Sequence, residues 1–214
     1  FVGDFVDRGP EIRGVLEIVR PMVEHGAALA VMGNHEFNAV AFHMERSGNG
    51  GGFLRERSYK NIRQYQATVV QLSDQELADY TSWFQTLPMW LDLDGLRVVH
   101  ACWDPAAMKV VDQYREKFGG FDRRFFHLAS DPSEALFGAV EVLLKGRETK
   151  LPDGVTFKDK DGNPRSSVRT KWYCDPSAAG ATYRDHTFSF RKEDLAKVPA
   201  EPLSPATVKE ACPY

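Results

Sequence analysis

Gly3-Asp4-Phe5-Val6-Asp7-Arg8-Gly9 and, thirty residues on, Gly33-Asn34-His35-Glu36 decide how this chain is read. Each follows a short apolar run, Phe1-Val2 in one case and Ala28-Leu29-Ala30-Val31-Met32 in the other, and each sets acid, amide or imidazole groups beside glycine. Glycine permits positive φ and tight turns, so both read as loops leaving the carboxyl ends of strands. Open α/β folds place their active sites at such strand ends. Carboxylate, amide oxygen and imidazole nitrogen suit a hard or borderline divalent cation, and the Arg8 guanidinium suits a phosphate.

The residues between the motifs explain how they meet. Pro10 suits the first turn of a helix, and Ile12, Val15, Leu16 and Val19 follow at helical spacing. A helix is expected to about Gly26, bent or split at Pro21. The run 28–32 then fits a buried parallel strand. Loop, helix, strand and loop form half of a βαβ crossover, which returns the second motif to the same sheet edge. Further helices are expected over 37–44, 60–67, 74–86, 105–117 and 132–145. Asp94-Gly95 between two apolar runs (89–93 and 96–100) predicts a two-residue hairpin. A second hairpin is expected around Asp161-Gly162, pairing 155–157 with 166–173. Residues 47–52 form a glycine-rich loop.

Bulk properties bound the answer. The 214 residues, 43% hydrophobic and 27% charged, are enough for one well-buried domain spanning 1–214, or for most of a slightly larger one. A net charge of −3 gives no general attraction to nucleic acid or to an anionic membrane. No apolar run is long enough to span a bilayer. The three cysteines (Cys102, Cys174, Cys212) are scattered without a C-x-x-C pair. They read as free thiols in a reducing, cytoplasmic setting. Phe1-Val2 reads as the end of a strand, and Cys212-Pro213-Tyr214 as a loop after a short helix, so a piece truncated at both ends is expected.

The two motifs together resemble the calcineurin-like metallophosphoesterases, whose pattern is G-D-x-x-D-R-G followed by G-N-H-E. The resemblance is nearest to the serine/threonine phosphoprotein phosphatase and diadenosine tetraphosphatase branch. It implies an α/β fold with a two-sheet β-sandwich flanked by helices, and two divalent metal ions, manganese or else iron, zinc or cobalt. Asp4 matches the carboxylate that bridges the metals, and Asn34 and His100 match further metal ligands. His35 matches the general acid, Asp7 the carboxylate that orients it, and Arg8 the substrate-phosphate ligand. The implied reaction is in-line attack on phosphorus by a metal-bridging hydroxide while His35 protonates the departing oxygen. Cys102 stands where the family commonly has glycine after its strand-end histidine. The family's D-x-H and G-H-x-H blocks are expected before Phe1 and beyond Tyr214, so the 214 residues alone are expected to bind metal poorly.

Three functions follow from this pattern. One is hydrolysis of phosphoserine, phosphothreonine or a related phosphomonoester; a second is pyrophosphohydrolysis of a dinucleoside polyphosphate of the diadenosine tetraphosphate type. The third is a catalytically inactive scaffold of the same fold, against which Asp4, Asp7, Arg8, Asn34 and His35 all stand. The implied partner is a phosphorylated protein or a nucleotide. Glu36 reads as structural, taking hydrogen bonds from the loop or capping the next helix. His186 only echoes the last family motif, and His25, His43 and His127 read as solvent-facing. Asp159–Gly162 reads as a turn rather than a calcium loop. Lys145, Arg147, Arg165, Arg169 and Lys171 read as a solvated basic face.

Overall fold

The structure, a computed structural model, describes residues 1–47, 51–158, 164–177, 180–188 and 192–211. It divides into two compact units, one of Phe1–Ala101 with Ala106–Lys145 and one of Cys102–Pro105 with Gly146–Tyr214. The first unit carries helices α1 (Ile12–Glu24), α2 (Asn34–His43), α3 (Tyr59–Gln71), α4 (Asp74–Phe84), α5 (Pro105–Phe118, from Ala106 on), α6 (Arg123–Ala129) and α7 (Ala135–Lys145), with one hairpin, β1 (Trp90–Leu93) and β2 (Leu96–Val99). Among the described residues no helix is long and apolar enough to cross a membrane.

The helical spacing of the α1 sequence produces the expected packing at three of its four stripe positions, Val15 being the exception. Ile12, Leu16 and Val19 are buried on one face, while Val15, Ile18 and Met22 are exposed. Pro21 sits inside a single uninterrupted helix. The second motif is itself the first turn of α2: Gly33 is its N-cap, and Asn34, His35 and Glu36 are its first three residues. Residues 35–42 of this helix are all buried, so its N-terminus is held rigidly. α4 starts at a capping box, with Ser73 N–H donating to Glu76 Oε2 at 2.8 Å. Phe37 packs on Phe126 with ring centroids 5.3 Å apart, which ties α2 to α6.

The β1–β2 hairpin has the expected register, Leu93 opposite Leu96 across Asp94-Gly95, with Gly95 at φ +75°. Strand content elsewhere departs from expectation. Among the described residues the strands form three two-stranded antiparallel sheets, and a two-sheet sandwich is not seen in them. Residues 28–32 are outside any named strand. Phe1 N–H donates to Leu29 O at 2.7 Å and Val31 N–H to Phe1 O at 3.1 Å, the pair of bonds a parallel ladder makes about one residue. Met32 N–H bonds Pro88 O at 2.8 Å on the other side. Ala30, Val31 and Met32 are buried while Leu29 is exposed, and the segment bonds each neighbour too briefly to make a strand.

The second unit holds β3 (Glu148–Lys150), β4 (Phe157–Lys158), β5 (Pro164–Arg165), β6 (Ser167–Arg169), α8 (Tyr183–His186), α9 (Lys192–Leu195) and α10 (Pro205–Ala211). The second hairpin is shorter than expected, β4 pairing β5, and its Asp161-Gly162 turn lies outside the described residues. β6 instead pairs β3, with Thr149 opposite Val168. Both side chains are buried, and Val168 belongs to a small core with Leu151, Tyr183 and Val198, so burial on that face sets the partner.

Candidate metal centre and catalytic loop

Three non-glycine residues of the first motif adopt left-handed backbone: Asp4 at φ +61°, Asp7 at +70° and Arg8 at +61°, following Gly3 at +81°. Such conformations cost a non-glycine residue about 1–2 kcal/mol each and persist only where the surroundings enforce them. Glu36 does much of the enforcing. Its buried carboxylate accepts N–H bonds from Asp4 at 2.8 Å, Phe5 at 2.7 Å and Gly33 at 2.9 Å. Burial raises the Glu36 pKa above the ordinary carboxylate value, against the pull of these three donors. One side chain therefore caps α2 and clasps the first motif to the second.

The two motif glycines let the loops touch. A Cβ on Gly3 would lie 2.4 Å from Gly33 N, and one on Gly33 would lie 2.6 Å from Asp4 Oδ1. At the far end of the motif Gly9 N–H bonds Asp7 O at 2.6 Å across Arg8, a three-residue γ-turn. Gln71 of α3 braces this turn by donating to Gly9 O at 2.9 Å and accepting from Ile12 N–H at 2.7 Å. Arg8 is exposed at the turn's apex, and among the described residues its guanidinium has no ion-pair partner.

Burial separates the two carboxylates of the motif. The Asp7 side chain is 3% exposed and accepts from His35 Nδ1–H at 2.6 Å. The Asp4 side chain is 41% exposed and faces a different set of groups. Asp7 thus orients an imidazole, and Asp4 is the carboxylate open to an ion from solvent. His35 Nε2 lies 3.9 Å from Asp4 Oδ2, between the two. His35 N–H, in the first turn of α2, donates to Asp4 Oδ1 at 3.3 Å, so the positive end of the helix faces this carboxylate.

His100 follows β2 and completes the group. Its Nδ1–H donates to Val2 O at 2.5 Å, so Nε2 is the ring nitrogen turned to the site. That nitrogen is 3.2 Å from Asn34 Oδ1 and 3.4 Å from Asp4 Oδ1. Three lone-pair atoms from sequence-distant elements therefore converge on one point. A cation there would satisfy all three. The mixed set of one carboxylate, one amide and one imidazole fits a borderline divalent ion. Among the described residues there is no group of three or more His, Cys, Asp or Glu side chains arranged for a metal, and this site reaches three donors only by including Asn34.

The structure thus brings Asp4, Asn34, His35 and His100 together, attaches Asp7 through His35, and leaves Arg8 adjacent but unattached. Sequence reading missed the α3 side chains that brace the first motif, Gln64, Thr68 and Gln71. The signal available was their spacing, a polar stripe at i, i+4 and i+7 on a helix whose Thr68 is buried. Other candidates lie elsewhere. His186, in the second unit, is buried, and among the described residues its Nε2 has no hydrogen-bond partner; burial and Lys171 lower its pKa. His25 and His43 are exposed, while His127 is half-buried on α6. In the basic stretch Lys145 pairs with Glu141 and Arg147 with buried Asp104 at 2.5 Å, while Arg165 and Arg169 are exposed.

Two glycine-containing loops thus set a carboxylate, an amide and an imidazole beside a histidine held by a second carboxylate. The family model for calcineurin-like phosphoesterases matches residues 1–142, and the chain belongs to that family. The matched span contains every residue of the site described above. No curated protein and no solved structure gives a significant match.

Proposed function

We propose that the protein is a metal-dependent phosphoester hydrolase acting on a phosphomonoester, with phosphoserine or phosphothreonine as the substrate group. The observation that carries this reading is the convergence of Asp4 Oδ1, Asn34 Oδ1 and His100 Nε2 beside a histidine already oriented by a buried carboxylate. Asp4, Asn34 and His100 would hold divalent metal, with manganese the proposed ion and Asp4 the ligand shared between two ions. Bound metal supplies Lewis-acid polarisation of the phosphoryl group and an activated water at neutral pH.

The protein's own groups supply the rest. Asp7 accepts a hydrogen bond from His35 Nδ1–H and so aims Nε2 at the Asp4 side of the site, from which a proton on that nitrogen would reach the departing alkoxide oxygen. Arg8, on its exposed γ-turn, offers a planar fork to two phosphoryl oxygens. The N-terminus of α2 adds a fixed positive dipole at the same place.

The test is hydrolysis of p-nitrophenyl phosphate by the full-length protein, apo and with manganese. Manganese-dependent turnover that disappears in His35→Asn is the expected result. A folded protein silent with every divalent metal would leave the inactive-scaffold reading. Inorganic phosphate released from a phosphopeptide, and no nucleoside diphosphate from a dinucleoside tetraphosphate, is expected for the substrate class.

A further inference from the structure

Asp7 is surrounded by donors, and two of them come from α3, a helix that carries neither motif. Thr68 Oγ1–H donates to Asp7 Oδ1 at 2.9 Å and accepts the Asp7 N–H at 3.0 Å. The direction is forced, because an amide N–H can only donate and the single hydroxyl proton must then go to the carboxylate. Gln64 Nε2 lies 3.3 Å from Asp7 Oδ2, the oxygen that also accepts the hydrogen bond from His35 Nδ1–H. Gln64 and Thr68 are one helical turn apart and so share a face.

The Gln64 amide is itself set from the other side. Arg55 Nη2 donates to Asn61 Oδ1 at 3.0 Å and to Gln64 Oε1 at 3.4 Å. A guanidinium only donates, so Gln64 turns its oxygen to Arg55 and its NH2 to Asp7. Asp7 also sits at φ +70°, a backbone state that its surroundings must hold in place.

We propose that Thr68 and Gln64 are positioning residues for the general acid. Together they fix the Asp7 carboxylate in the orientation that accepts a hydrogen bond from His35 Nδ1–H and turns Nε2 toward Asp4. Arg55 acts one step further out, by fixing Gln64. The inference rests on the phosphoesterase reading above for its catalytic consequence, while the orientation of Asp7 and His35 is a property of the chain without metal.

Thr68→Val removes the hydroxyl at nearly constant volume, and Thr68→Ser retains it. Gln64→Met removes the amide from a half-buried position and serves if Thr68→Val does not fold. Two readouts are taken: kcat and KM for p-nitrophenyl phosphate with manganese, and the downfield proton resonance of His35 Nδ1–H in metal-free protein, assigned by its loss in Asp7→Asn. Thr68→Val is expected to lower kcat about 10–100-fold with KM within about twofold, the scale typical of outer partners of a reacting group. It is also expected to shift or broaden the resonance, with Thr68→Ser close to the unsubstituted protein on both measures and Gln64→Met changed in the same direction as Thr68→Val. Unchanged kcat and resonance in both Thr68→Val and Gln64→Met would overturn the proposal, as would a change confined to KM. If no variant hydrolyses the ester but the resonance still responds to Thr68→Val, the hydrolase reading falls and the positioning role stands.

Discussion

Substituting Gly33 by alanine tests the contact on which the whole site depends. Gly33 has φ −96° and ψ 173°, a conformation open to alanine, so backbone strain plays no part. The added Cβ would lie 2.6 Å from Asp4 Oδ1, 2.7 Å from Asp4 N and 2.7 Å from Glu36 Oε2, well inside the 3.4 Å at which ordinary contact starts. Asp4 Oδ1 ends a part-exposed side chain that can swing aside, but Asp4 N is backbone and the Glu36 carboxylate is buried, so neither of those two atoms can yield alone. Asp4 N and Gly33 N both donate to that same Glu36 oxygen. Relief of the clash therefore requires the two loops to separate and those two bonds to open. Hydrogen bonds to a charged acceptor contribute about 1.5–3 kcal/mol each, so the loss is about 3–6 kcal/mol. That is a large part of the stability of an ordinary domain, about 5–15 kcal/mol. Urea denaturation monitored by circular dichroism, with the slope held common, gives the difference. Gly14→Ala, in α1 with open space around its Cβ position, is the control and is expected to stabilise by about 0.5–1 kcal/mol. A Gly33→Ala protein within about 1 kcal/mol of the unsubstituted chain, the ordinary scale of a point substitution, would refute the interlock.

Two further outcomes are expected. His100→Ala is expected to weaken manganese binding at least about tenfold by titration calorimetry, while Asp7→Asn changes it by less than about threefold, because the buried Asp7 faces His35 rather than the donor cluster; equal losses in the two would sink the assignment of roles. Burial, with the Asp104 charge beside it, pushes the Cys102 thiol from its ordinary 9.0 up to about 12. Iodoacetamide at pH 8 is therefore expected to modify exposed Cys174 and to spare Cys102 until the chain is unfolded, as read by peptide mass mapping. Because the folded value is the higher one, the neutral thiol's contribution to stability is complete below about pH 9 and is lost as pH rises towards about 12. Native labelling of Cys102 as fast as Cys174 would contradict this.

What sequence reading reached and what it missed follow from the range of the forces involved. Helix α1 was legible because Ile12, Leu16 and Val19 repeat at a period that a local backbone imposes. The β1–β2 hairpin was legible because Asp94-Gly95 carries its own turn geometry. α6 was missed: it is short, starts at the Asp122 cap, and buries the adjacent Phe125 and Phe126 rather than a periodic stripe. The partner of β6 was misjudged because Val168 faces Thr149, a pairing set by a shared core and not by any turn between them.

By itself the sequence determined the chemistry on offer: two carboxylates, an amide, an imidazole and a guanidinium in glycine-hinged loops, with a helix between them of the right length to bring the loops to one edge. Only the tertiary structure decided how those groups divide their work. Asp4 is open while Asp7 is buried, Glu36 clasps both motifs, His100 arrives from 66 residues beyond Asn34, and α3 supplies the hydroxyl and amide that hold Asp7. Local periodicity can specify an element, but solvent exposure and hydrogen-bond partners across tens of residues exist only once the chain has packed.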